Sequence, residues 1–156
     1  MDRPRFQDPQ VSLYELAADD ILVVCPRCGG RAVNAARPTG SRWVASWPRR
    51  LTCAACGYAA AWEPAGATSV WGGPADPFFG GPLWLRTECC GGRVLWAFNR
   101  RHLDILGGFV GAKLRERGPG PGGLTLVARL PAWMTAAKHR AEILRAVDRL
   151  RAMLEN

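Results

Sequence analysis

Four of the six cysteines fall in two matching units, Cys25-Pro26-Arg27-Cys28-Gly29 and Cys53-Ala54-Ala55-Cys56-Gly57, with 24 residues between Cys28 and Cys53. In a C-x-x-C-G knuckle two thiolates reach one metal ion from a tight turn. The glycine after the second cysteine permits the positive φ that closes that turn. Two knuckles complete a tetrahedral set of four sulfurs, so Cys25, Cys28, Cys53 and Cys56 are expected to hold one structural zinc ion per chain. Iron in a rubredoxin-like site uses nearly the same knuckles, and ligand type alone does not separate the two metals. The basic surroundings favour zinc, because a redox iron site gives no reason for them. A disulfide framework needs an oxidising compartment, and a redox C-x-x-C needs one copy beside a βαβ pattern; neither context is present.

The remaining pair, Cys89-Cys90, precedes Gly91-Gly92. Neighbouring residues of a strand point to opposite faces, so the two thiols do not readily serve one tetrahedral ion. One is expected as a buried small apolar residue and the other as a half-exposed thiol before a Gly-Gly turn. A second site joining one of them to His102 and His139 is conceivable. His102, His139 and this pair are also the only groups suited to acid, base or nucleophilic work. The chain holds no Ser/His/acid set, no phosphate loop and no carboxylates paired at a plausible spacing, so it is read as a non-enzyme.

Charge supplies the second signal. Of 21 cationic residues 19 are arginine, and the net charge is +8. Residues 25–56 carry six arginines and no acid, and residues 91–156 carry a net +7, whereas 1–24 and 57–90 sum to −3 and −2. The insert between the knuckles holds Arg31, Arg37, Arg42, Arg49 and Arg50 interleaved with Trp43 and Trp47. Arginines neutralise phosphates and tryptophans stack on bases, so Arg37, Arg42, Trp43, Trp47, Arg49 and Arg50 are the candidate nucleic-acid contacts. The same composition also suits a solvated hairpin whose tryptophans cap the core.

Those residues must be held by ribbon-like elements. Strand-forming runs lead into each knuckle, Ile21–Val24 and Arg50–Thr52, and Tyr58 to Trp62 leads out, which places each knuckle at a hairpin tip. Residues 1–20 read as a partly flexible leader with a short amphipathic turn over Val11 to Ala18, and residues 21–64 as the zinc ribbon. Glu63 to Pro82 is rich in glycine, alanine and proline and reads as a surface loop pinned by Phe78 and Phe79. Leu83–Glu88 and Val94–Phe98 form a further β-hairpin that would extend the ribbon's sheet. A helix is expected from the cap Asn99 to Arg117, with a stripe of Leu103, Leu106, Val110 and Leu114. Gly107, Gly108 and Gly111 each cost that helix about 1 kcal/mol relative to Ala, which close approach of another backbone or simple tolerance of a poor helix would explain. After a Gly/Pro linker over 118–123, a last helix starts at Pro131 with a stripe of Ile143, Val147, Leu150 and Leu154. The fold class is thus α+β: a zinc ribbon of antiparallel hairpins, with a hairpin and two amphipathic helices (65–156) packed on it as one compact unit.

At 156 residues, 48% of them hydrophobic, the chain suffices for one core, and nothing in the composition suggests disorder. The longest apolar run near the start, Ile21 to Cys25, is far shorter than a signal-peptide core or the ~20 residues of a membrane span, so a cytoplasmic protein without membrane association is expected.

Several strings together resemble a group of small bacterial proteins described as transcription-factor-IIB-type zinc-ribbon-containing proteins. These are the knuckle pair, Cys89-Cys90-Gly91-Gly92, Leu95-Trp96-Ala97-Phe98-Asn99, His102-Leu103, Leu114-Arg115-Glu116-Arg117 and Arg129-Leu130-Pro131-Ala132-Trp133. The resemblance implies a zinc ribbon and no particular activity. Two functions follow from the residues: a ribbon that binds nucleic acid without strong sequence preference, or an adaptor that offers its basic, tryptophan-rich surface to an acidic protein.

Overall fold

The computed structural model describes residues 5–65, 70–112, 114–116 and 125–155. In chain order the elements are β1 (Arg5–Gln7), α1 (Leu13–Leu16), β2 (Ile21–Val24), β3 (Arg31–Ala36), β4 (Arg49–Thr52), β5 (Ala59–Trp62), β6 (Leu85–Cys89), β7 (Arg93–Ala97), α2 (Arg100–Gly111), β8 (Leu114–Glu116), α3 (Ala132–Thr135) and α4 (Arg140–Leu154). No helix among the described residues is long and apolar enough to cross a membrane. The chain forms two compact units. One comprises Tyr14–Arg86 and Trp96–Asn99; the other comprises Met1–Leu13, Thr87–Leu95 and Arg100–Asn156. Residues 70–86 share a unit with the knuckles.

The first of these units is built on an antiparallel meander in the order β2-β3-β4-β5. Its register pairs Val24 with Arg31 across the first knuckle and Thr52 with Ala59 across the second. The alternation of strand side chains sends Ile21 and Val23 of β2, and Arg49 and Leu51 of β4, into the core. Leu22, Val24, Arg50 and Thr52 face the other way and stay at least partly accessible. Backbone bonds from Leu22 N–H to the Phe98 carbonyl (2.9 Å), Val24 N–H to Pro82 (3.0 Å) and Trp84 N–H to Leu22 (3.0 Å) tie β2 to neighbouring chain. The expected second hairpin exists, but β6 and β7 form a separate two-stranded sheet instead of extending the first. Phe78 does pin the long loop: its ring meets Trp62 edge-on at 4.9 Å and Trp71 at 5.5 Å. Phe79 is only half-buried.

In the other unit α2 packs against α4. Leu103, Leu106 and Val110 of one stripe and Ile143, Val147 and Leu150 of the other are buried. The glycines of α2 answer to this packing: a Cβ on Gly107 would lie 3.3 Å from Val147 Cγ1, and one on Gly108 3.3 Å from Phe6 Cδ2. The helix ends at Gly111, short of the expected Arg117, and the chain turns into β8, which pairs in parallel with β1 as Phe6↔Arg115. The leader is thus tied down by a strand. The final helix is also broken. Ala136 is extended (φ −74°, ψ 129°), separating α3 from a 3₁₀ turn at Ala137–His139 and from α4. The linker over 118–123 and residues Lys113 and Arg117 lie outside the described residues.

Candidate metal centre and basic hairpin

The two knuckles are near copies in their backbone bonding. Cys25 N–H donates to the Gly30 carbonyl at 2.8 Å and Gly29 N–H to Cys25 at 2.9 Å; Cys53 N–H donates to Tyr58 at 2.9 Å and Gly57 N–H to Cys53 at 2.8 Å. Gly29 (φ 76°) and Gly57 (φ 79°) take the left-handed conformation that the turn requires. Further amides face the sulfurs: Arg27 N–H lies 3.4 Å from Cys25 Sγ and Gly30 N–H 3.3 Å from Cys28 Sγ.

The four sulfurs lie within 4.8 Å of one another. Cys25 Sγ is 3.7 Å from Cys56 Sγ, and Cys28 Sγ is 3.6 Å from Cys53 Sγ. Sulfurs bound ~2.3 Å from one tetrahedral ion are about 3.8 Å apart, whereas a disulfide needs about 2.05 Å. The spacing is therefore that of a metal site and not of bridged cysteines; all six cysteines are free. Burial works to raise the Cys25 thiol, but the amides of Cys28 and Arg27 outweigh it and bring the group down to about 6. At Cys56 the Tyr58 amide works to lower the thiol, yet burial and sharing with Cys25, Cys28 and Cys53 push it up to about 11. A metal-free cluster accordingly keeps part of its protons among its members, and a bound ion would displace them. The cluster can hold a metal ion and fits a zinc ribbon.

The six candidate nucleic-acid contacts separate. Arg37, Arg42 and Arg50 are exposed, and their side chains make no hydrogen bond or ion pair among the described residues. Trp43 is 78% exposed. It does not hang loosely. The Trp43 amide donates to Ser41 Oγ at 3.1 Å, and its carbonyl accepts from Ser46 Oγ at 2.7 Å and from Ser46 N–H at 2.9 Å. Trp47 is half-buried, and its indole N–H is spent on the Ser41 carbonyl at 2.9 Å, so this ring secures the loop.

Arg49 is the correction. Only 1% of it is exposed, so it reaches no polyanion. Its Nε donates to Asn34 Oδ1 at 2.7 Å, Nη2 to the Asn34 carbonyl at 3.1 Å and Nη1 to the Ala17 carbonyl. The guanidinium also lies 4.5 Å from the centre of the Phe78 ring. Asn34 Nδ2 in turn donates to both carboxylate oxygens of Asp76, at 3.1 and 3.2 Å, and Phe78 N–H donates to Asp76 Oδ1 at 2.9 Å. Burial lowers Arg49 to about 10 against the pull of Asp76 and Asp20, and burial raises Asp76 against its hydrogen bonds and Arg49. This is an interior polar network, not a binding surface.

The second cysteine pair also departs from expectation. Cys89 and Cys90 are both buried at 6% exposure, and neither is half-exposed. Burial, with Cys90 as neighbour, pushes the Cys89 thiol up to about 12. Three consecutive residues, Cys90 (φ 55°), Gly91 and Gly92, turn through the left-handed region. His102 is 1% exposed inside α2, where burial pulls it down to about 3, so it is a neutral core histidine. It takes no part in a site with Cys90. His139 does lie near Cys90, together with Glu142, which the sequence reading missed; His139-x-x-Glu142 spacing was the available signal.

No protein-family model, curated protein or solved structure matches this chain significantly.

Proposed function

We propose that this chain is a zinc-ribbon protein that binds nucleic acid without strong sequence preference. One zinc ion in the Cys25, Cys28, Cys53, Cys56 centre would hold the two knuckles together at one end of the four-stranded sheet. Four thiolates fill a tetrahedral shell and leave no position for a reacting water, so this centre's part is structural and not catalytic. The observation that carries the binding function is the exposed Trp43, fixed by serine hydrogen bonds in the connection between β3 and β4, together with the exposed Arg37 and Arg42 of that connection and Arg50 of β4, whose side chains have no partner among the described residues; no acid occurs in residues 31–50. A stacking ring whose loop is already ordered loses little freedom on binding, and unpartnered guanidinium groups need break nothing to meet phosphates. By contrast, Arg149 of α4 already donates to Thr87 Oγ1 and the Glu88 carbonyl, and Arg151 to Asp104.

Replacing Arg37, Arg42 and Arg50 together by alanine is expected to weaken binding to unrelated sequences alike. It should also flatten the dependence of log affinity on log salt by about two to three, as three phosphate contacts are lost. Trp43→Ala should cost about 1–3 kcal/mol of binding with the salt slope unchanged, since stacking releases no counterions. Fluorescence anisotropy with labelled oligonucleotides reads both. An adaptor for an acidic protein predicts neither effect.

A further inference from the structure

We infer that Cys90, His139 and Glu142 form a second metal site, chemically distinct from the four-cysteine centre and built in the other compact unit. The Cys90 thiol, an imidazole nitrogen of His139 and a Glu142 carboxylate oxygen lie within 4.8 Å of one another. Two elements far apart in sequence supply them. Cys90, in the left-handed turn after β6, is buried, and His139, which caps α4, stands three positions before Glu142 of its first turn, hence on the same side. The arrangement is already fastened, because Cys90 N–H donates to Glu142 Oε1 at 2.8 Å across 52 residues of sequence. That bond fixes the carboxylate beside the thiol and leaves its second oxygen for a ligand bond.

The donor set selects the ion. A thiolate and an imidazole exclude magnesium and calcium, which take oxygen shells, while a carboxylate beside them suits a borderline divalent ion of the zinc type. Charge also matches: one thiolate and one carboxylate neutralise a dication, so the half-buried centre carries no net charge, whereas four thiolates leave two negative charges around theirs. Donors around a tetrahedral zinc stand about 3.5 Å apart, a spacing that small side-chain rotations can reach from a group already within 4.8 Å. Both are half-exposed, which gives the ion an entry path and the side chains room to rotate. Among the described residues no fourth cysteine, histidine or carboxylate joins the group. The fourth position therefore falls to water, and the ion is the exchangeable one of the two.

Zinc loading followed by gel filtration and elemental analysis tests this. The wild-type chain should hold two equivalents, of which a moderate chelator removes one well before the other. Glu142→Gln keeps an oxygen to accept the Cys90 amide but lacks the charge, and it should hold one; His139→Ala and Cys90→Ser should do the same, while Cys89→Ser keeps two. Cobalt-loaded Glu142→Gln should retain the full absorption of a four-thiolate centre, which separates this result from any failure at the other site. A wild-type chain saturating at the four-cysteine equivalent alone, or a Glu142→Gln/His139→Ala double variant that still holds two, overturns the inference.

Discussion

Cys53→Ser, or removal of the ion from the four-cysteine centre by a strong chelator, is expected to unfold the β2–β5 meander outright. The reason is one of scale. Structural zinc binding contributes apparent free energies of about 10–16 kcal/mol at neutral pH, against a net domain stability of about 5–15 kcal/mol. Its strands are only four to six residues long, and the β2–β3 and β4–β5 connections are the two cysteine knuckles. Near-ultraviolet circular dichroism reads the loss through Trp62 and Trp71, which pack on Phe78 in the same unit. Restoring zinc should restore the signal. A Cys53→Ser chain with an unchanged spectrum and unchanged denaturation midpoint would show that the sheet stands without its ion.

The second large effect is expected at Arg49. Arg49→Met leaves Asp76 buried and deprived of its cation, and it also strips a donor from Asn34 Oδ1 and from two backbone carbonyls. Breaking one side of a buried charge pair costs about 3–5 kcal/mol. Arg49→Lys should recover only part of this, since a single ammonium lacks the planar fork that serves Asn34 and Ala17 together. Removing both charges in Arg49→Met/Asp76→Asn should cost less than the two single losses added, the sign of coupling carried through Asn34. Urea unfolding followed by tryptophan fluorescence measures the wild type, these three variants and Asp76→Asn alone. A loss under 1 kcal/mol for Arg49→Met would place the guanidinium at the surface.

Arg49 also shows where reading by sequence stops. The four-cysteine cluster was legible because a knuckle is local: two cysteines, a turn and a glycine within five residues say what the backbone must do, and a second copy brings four sulfurs together. Strand pairs flanking each knuckle followed from that. The basic insert was legible as composition only. Arg49 and Arg50 stand side by side on β4, and strand alternation must send them to opposite faces, so at most one could belong to a binding surface; Leu51 beside them already marks the inward phase. What decides that an arginine goes in is Asn34 and Asp76, which come from β3 and from the loop before β6. The same limit hid the parallel pairing of β1 with β8, which turned an expected helical turn into a strand, and the meeting of Cys90 with Glu142. Contacts between distant segments leave no periodicity behind.

Whether the surface around Trp43 meets phosphates is read directly by one measurement: the affinity of the zinc-loaded chain for labelled single- and double-stranded DNA and RNA, titrated across salt concentrations. Three arginine contacts predict binding to every sequence with similar strength and a fall of log affinity with log salt of slope about −2 to −3. No affinity for any of these polymers at low salt, or an affinity indifferent to salt, would contradict the nucleic-acid function and leave the basic hairpin to an acidic protein partner.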